Sequence, residues 1–218
     1  MKKTAFTLAE VLITLGIIGI VAAMTMPSLI ANYQKQVLVT QLRKSMSVLE
    51  QGFQKMLADD GVDSLADTSV WAIAIDDSNP TGDCFAMDYG SKPACAKFSD
   101  EWKKYFQIVD INKTPEYKYY WLNSKNYDDM STDYIFKFND GMWVRFDYLS
   151  GMSDLGWLSV DVNGSKRPNM YGRDIFDFHL SKEGKLTFSG NADNCVENSA
   201  SGQDCLTRII EKGWKMDY

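Results

Sequence analysis

Glu10 is the only charged residue between Phe6 and Met26. A carboxylate at the head of an apolar run has to be used: at mid-membrane it costs about 2.5–3.5 kcal/mol unless it is paired. The other residues with chemical potential are four cysteines, one acidic loop and a single histidine. Cys84, Cys95, Cys195 and Cys205 form two local pairs, each enclosing a short polar loop. An even count in a chain that carries an export signal reads as two disulfides formed in an oxidising compartment. Three connectivities are open, and local pairing, Cys84–Cys95 with Cys195–Cys205, is the expected one. A four-thiolate zinc site is disfavoured because no pair shows the close C-x2-4-C spacing such sites use. Asp161, Asn163, Asn169 and Asp174 set oxygen donors around one turn, as a hard cation such as calcium requires. The spacing is not that of an EF-hand, and Lys166, Arg167 and Arg173 intervene. Asx residues with Gly and Pro also simply make turns, which is the favoured reading. His179 sits in the alternating run Phe176-Asp177-Phe178-His179 and is expected to be an exposed strand residue rather than a base. No nucleophile-elbow, zincin, P-loop or dinucleotide motif is present, so no catalytic residue is assigned.

These groups need elements to position them, and the N-terminus is the most informative. Lys2 and Lys3 precede an apolar span of about 20 residues, long enough to cross a bilayer core. The positive-inside rule then places the N-terminus in the cytoplasm and the remainder outside. An ordinary signal peptide would share the basic start and could be cut after Val21-Ala22-Ala23. Glu10 argues against that, and so does the pattern downstream. Leu38, Leu42, Met46, Leu49, Phe53 and Met56 follow at steps of 4, 4, 3, 4 and 3, one apolar stripe on a continuing helix. Asp59-Asp60-Gly61 is the expected stop. A helix from Phe6 to about Ala58 would be on the order of 80 Å long, with a kink expected at Pro27.

The run Ala5-Phe6-Thr7-Leu8-Ala9-Glu10-Val11-Leu12-Ile13 resembles the prepilin cleavage and methylation motif of type IV pilins and type II secretion pseudopilins. The resemblance implies cleavage by a prepilin peptidase between Ala5 and Phe6, N-methylation of Phe6, and a role for Glu10 with Phe6 in assembly. The chain departs from the family in carrying Ala5 where Gly is usual. The motif covers only about the first 30 residues. It implies insertion in a bacterial inner membrane with the N-terminus cytoplasmic and the folded part periplasmic. It also implies lipid contact before assembly, and then a filament on the cell surface or in the periplasm, built with other pilin or pseudopilin subunits on an inner-membrane platform. Some pseudopilins bind calcium in a C-terminal loop, so the resemblance also makes Asp161, Asn163 and Asp174 candidate ligands. No other cofactor is expected.

Composition is consistent with that reading. The 218 residues are 45% hydrophobic and 13% aromatic, the make-up of a folded protein. Net charge is −6, and without Lys2 and Lys3 it is −8, which disfavours nucleic acid as a partner. After Gly61 the patterning changes. Ser99 to about Val109 is expected to be a short helix with Trp102, Tyr105, Phe106 and Val109 on one face. Tyr134–Phe138 and Met142–Phe146 flank Asn139-Asp140-Gly141, a hairpin signal, and Trp157–Val162 and Ile175–Leu180 read as further strands. A short helical run is expected near Leu206–Lys212. The expected architecture is α+β and pilin-like: a leader at 1–5, a long helix at 6–58 whose 6–30 part spans the membrane, and a small antiparallel sheet within 59–218 packed on the helix stripe. The alternative from another class is a periplasmic binding protein, either soluble or held by a simple anchor.

Overall fold

The computed structural model describes residues 7–74, 100–113, 117–122, 127–129, 134–148, 154–196 and 201–218. Ala5 and Phe6, the Ser99 cap and the Cys84–Cys95 pair lie outside the described residues. The chain divides into two compact units, Met1–Val37 and Leu38–Tyr218.

Helix α1, Leu8–Asp60, provides all the described structure of the first unit except Thr7 and opens the second. It continues through Pro27 rather than ending there. It stops where expected, two residues beyond Ala58. Gly61 takes φ +65° and the Val62 N–H donates to the Leu57 carbonyl at 3.1 Å. That is the glycine-terminated 6→1 closure a helix C-terminus favours, because only glycine accepts the left-handed turn at no steric cost.

From Leu38 onward α1 turns one stripe inward. Leu42, Leu49, Phe53 and Met56 are buried as the spacing predicts, joined by Val39, Ser45, Gly52 and Leu57, while Leu38 and Met46 are half-buried at its edge. Against them packs a six-stranded antiparallel sheet. Its strands are β1 (Ile108–Lys113), β4 (Tyr134–Phe138), β5 (Trp143–Tyr148), β6 (Gly156–Asp161), β7 (Ile175–Leu180) and β8 (Leu186–Thr187), in the order β1-β4-β5-β6-β7-β8. A separate antiparallel pair joins β2 (Lys118–Tyr120) and β3 (Tyr127–Asp129). The β4–β5 turn closes as its Asn-Asp-Gly predicts, with Gly141 at φ +91° and the Met142 N–H on Asp140 Oδ1 at 3.1 Å.

Strand alternation sends Phe136, Phe138, Val144, Phe146, Leu158, Val160, Phe176 and Phe178 to the α1 side, where they join one buried cluster with the helix stripe. Phe53 lies at its centre, edge-on to Trp71 of α2 (Ser69–Ala74), to Trp102 of α3 (100–105) and to Phe106, with centroids 6.4, 5.9 and 5.4 Å away. Polar stitches hold α1 to the β7–β8 turn: Gln54 Nε2 donates to the Glu183 carbonyl at 2.6 Å, and the Leu186 N–H donates to Glu50 Oε1 at 3.1 Å.

The structure corrects one expected element. The helix over Ser99–Val109 ends by 105, and Ile108–Lys113 is the edge strand β1, so Val109 is 65% exposed rather than on a buried helix face. The β-branched Ile108, Val109 and Ile111 lose little as a strand and gain the β4 ladder.

At the C-terminal side, α4 (Cys205–Glu211) is tied back by the Cys195–Cys205 disulfide, the second of the two expected pairs; both cysteines are fully buried. The bridge closes a separation of 10 residues, which constrains the unfolded chain by about 3 kcal/mol. The C195A/C205A double variant should therefore unfold at a lower denaturant midpoint, with a steeper slope because its unfolded chain is less constrained. An unchanged midpoint would mean the native packing alone holds α4.

Candidate functional site

Three sets of residues carry chemistry. The first is the start of α1. Thr7 stands just before the helix and acts as its N-cap, while Glu10 is the third helical residue. The Glu10 N–H donates to Thr7 Oγ1 at 3.3 Å, and Glu10 Oε2 accepts from both the Thr7 N–H and the Thr7 hydroxyl at 2.8 Å. This reciprocal arrangement is a capping box, which satisfies backbone donors that the first helical turn leaves open. The sequence analysis missed it, although Thr7-x-x-Glu10 ahead of an apolar run was its signal. The carboxylate thus has a local partner within its own chain. Beyond it, Leu8, Leu12, Ile13, Leu15, Ile17, Ile18 and Ile20 are all exposed. A window of 18 residues in α1 is long and apolar enough to cross a membrane, and none of it is buried.

The second set is the loop from Asp161 to Asp174. Asp161 ends β6 and Asp174 precedes β7, so the antiparallel register that pairs Asp161 with Ile175 brings the two carboxyls together. Every carboxylate oxygen already accepts a hydrogen bond. Asp161 takes the Tyr117 hydroxyl on Oδ2 and the Asn163 N–H on Oδ1 at 3.1 Å; Asp174 takes the Asn169 N–H on Oδ2 at 2.9 Å and the Met170 N–H on Oδ1 at 2.6 Å. These are Asx-type closures within the loop. Among the described residues no group of three His, Cys, Asp or Glu side chains could hold a metal ion.

Burial pushes both carboxyls up, Asp161 further through the neighbouring charge of Asp174, and Asp174 to about 6. The Tyr117 hydroxyl, which donates to Asp161, opposes that rise without cancelling it. The folded chain holds protons that an unfolded aspartate releases near pH 4. Stability from Asp174 is thus fully present below about pH 4 and is lost as pH rises through about 6. Asp174→Asn should flatten this dependence, so that the wild type's stability relative to the variant shrinks between about pH 4 and 7. A stability difference that stays constant across that range would refute the raised Asp174 carboxyl.

The third set surrounds His179. It lies on β7 opposite Trp157 of β6 and Thr187 of β8, with its ring edge-on to Trp157 at 5.1 Å. The strand position is as expected, but the imidazole is only half-exposed and both of its nitrogens have partners. Nδ1 is 3.5 Å from Asp154 Oδ2 and Nε2 is 3.2 Å from Ser189 Oγ.

Set beside known proteins, residues 1–26 match the family model described as a prokaryotic N-terminal methylation motif. No curated protein and no solved structure matches the chain. The matched segment contains Ala5, Phe6 and Glu10 and leads into the long apolar helix. The chain therefore carries a prepilin-type methylation motif ahead of an α+β, pilin-like architecture, a combination consistent with the type IV pilins and pseudopilins. That motif belongs to structural subunits that are anchored in a membrane and processed by a prepilin peptidase.

Proposed function

We propose that this chain is a non-enzymatic subunit, a minor pilin or a pseudopilin, of a type IV pilus or type II secretion filament. It enters the inner membrane with residues 1–5 on the cytoplasmic side and the part from 59 onward outside. It loses residues 1–5 and assembles through residues 6–58. The observation that carries this reading is the methylation motif at residues 1–26 heading a helix whose apolar face is unburied until Leu38. Before assembly, lipid covers that face; in a filament, the same face of neighbouring subunits does so. Cleavage exposes a cationic α-amine on Phe6, and a neighbour's Glu10 is the anion available to pair with it in the apolar phase, where an unpaired charge is costly.

Intact-mass and N-terminal peptide mass spectrometry on protein recovered from its native membrane tests the proposal. The expected mature chain begins with N-methylated Phe6. A chain beginning at Met24 would instead identify a soluble exported binding protein. One retaining Met1 in the presence of an active prepilin peptidase would identify a simple anchor.

A further inference from the structure

The antiparallel β6–β7 hairpin carries an acidic hollow near one end and a basic loop at the other. Where the register sets Trp157 opposite His179, a cavity of about 260 Å³ opens. Trp157 is 42% exposed and forms one wall, so an indole meets solvent beside polar groups. Asp177 and Asp204 share that lining with the exposed Ser189 and Gln203, and among the described residues it holds no lysine or arginine. Ser159, Tyr171 and Gln203 donate to Asp177, and Asn191 and Asn194 donate to Asp204. These uncharged donors orient the two carboxylates without adding positive charge. Past the Asp161–Ile175 pair, about 13 Å along the strands, the 162–174 loop presents Ser165, Lys166 and Arg167 to solvent.

Arg167 stands apart from the other arginines. Arg43 lies over Trp214, Arg145 donates to Ser159, Arg173 holds Tyr218, and Arg208 is paired with Asp217. Among the described residues no carboxylate forms an ion pair with Arg167, and it does not line the cavity of its own chain. An indole beside carboxylates is what a guanidinium recognises: its plane stacks on the ring while its fork of N–H groups meets the oxygens. The chain carries a net charge of −6, so copies of it repel unless a contact sets opposite charges together. We propose that the 162–174 loop of one copy docks in the Trp157 cavity of a second copy, with Arg167 stacked on Trp157 and paired with Asp204 and Asp177. Loop and cavity are different surfaces, so each copy keeps one of the two to offer onward. A heterologous contact of this kind propagates along an open array wherever its rotation does not close a ring. The inference rests on the filament reading, which brings copies side by side, and adds a contact between their folded parts.

Cysteine cross-linking of full-length chains in their native cells gives the test. Ser165→Cys and Ser189→Cys chains are produced together, and membranes and sheared filaments are treated with a short bismaleimide. Peptide mass spectrometry should find residue 165 of one chain joined to residue 189 of another, from the mixture and from neither variant alone. Adding Arg167→Glu to the first chain should lower that yield about tenfold, and adding Gln203→Lys to the second should then restore most of it. Both positions are exposed, so melting temperatures should not change. Links between two residues 165, or between two residues 189, would make the contact isologous and overturn the proposal. A yield indifferent to Arg167→Glu overturns the arginine–tryptophan pairing. N-terminal peptides from the same samples separate this contact from the filament reading. Mature chains beginning at N-methylated Phe6 but giving no 165–189 link overturn the contact alone. The link in chains that all retain Met1 upholds the contact and overturns the filament reading.

Discussion

Gly52→Ala is expected to destabilise the Leu38–Tyr218 unit, although glycine to alanine inside a helix normally stabilises by about 1 kcal/mol. The reason is Phe106. A Cβ on residue 52 would lie 2.0 Å from Phe106 Cε1 and 2.5 Å from its Cζ, far inside van der Waals contact. The ring has little freedom to retreat, because Phe53, Trp102 and Phe138 surround it with centroids 5.4, 5.1 and 5.8 Å away. Overpacking of this kind costs about 1–3 kcal/mol, and a clash this deep belongs at the upper end. Net of the helix gain, about 2 kcal/mol is lost, or roughly 4–8 °C in melting temperature for a unit of this size. Phe106→Leu should recover part of the loss in the Gly52→Ala background and destabilise the wild type, so the pair should be strongly non-additive. A melting temperature that rises in the single variant would show that the ring moves freely and that Gly52 is dispensable.

Glu10 is the second position with a large expected effect, and two substitutions there separate its two roles. Glutamine preserves an acceptor for the Thr7 donors and so keeps most of the capping box, while valine removes both box and charge. Losing the cap costs about 1 kcal/mol of local helix stability. Losing the charge removes the pairing with a neighbour's α-amine, and an unpaired partner in the apolar phase costs about 2.5–3.5 kcal/mol. If pairing drives assembly, Glu10→Gln should abolish filaments nearly as completely as Glu10→Val, with processed monomer accumulating in the membrane. Sheared-filament yield and membrane content by immunoblot read this directly. Normal filaments with Gln and none with Val would make the carboxylate a helix cap alone.

The capping box also bears on how assembly proceeds under the proposed function. The carboxylate that must reach a neighbour is held by Thr7 in the isolated chain. Pairing then exchanges two hydrogen bonds from uncharged donors for a contact with a full positive charge, and the ion pair is the stronger in a medium of low dielectric.

The elements that were legible in the sequence are those written by local rules. The apolar run headed by Glu10 and the 3.6-residue stripe from Leu38 to Met56 both appear as helix, and Asp60-Gly61 ends it. The Asn-Asp-Gly turn and the alternating strands around it also lie where the pattern puts them. The Cys195–Cys205 pair closes a short loop that needs no distant information. What failed was decided by neighbours far along the chain. Ile108 and Val109 fit a helix or a strand equally well, and only the β4 edge made them a strand. The outer sheet face carries Arg145, Ser159, Asp161 and Asp177, which by alternation read as solvent-facing. Tyr117 and Tyr171 cover part of that face as a second small core with Ile135 and Ile175.

By itself, then, the sequence determined the long helix, its apolar and amphipathic halves, the glycine that stops it and the methylation motif at its head. Each of these depends on residues within a few turns or one short loop, where spacing and side-chain type are enough. Only the tertiary structure decided that Asp161 and Asp174 are buried side by side and that His179 stands between Asp154 and Ser189. Those meetings depend on strand register, and register is set by which faces bury together across the whole sheet, a sum that no local window contains.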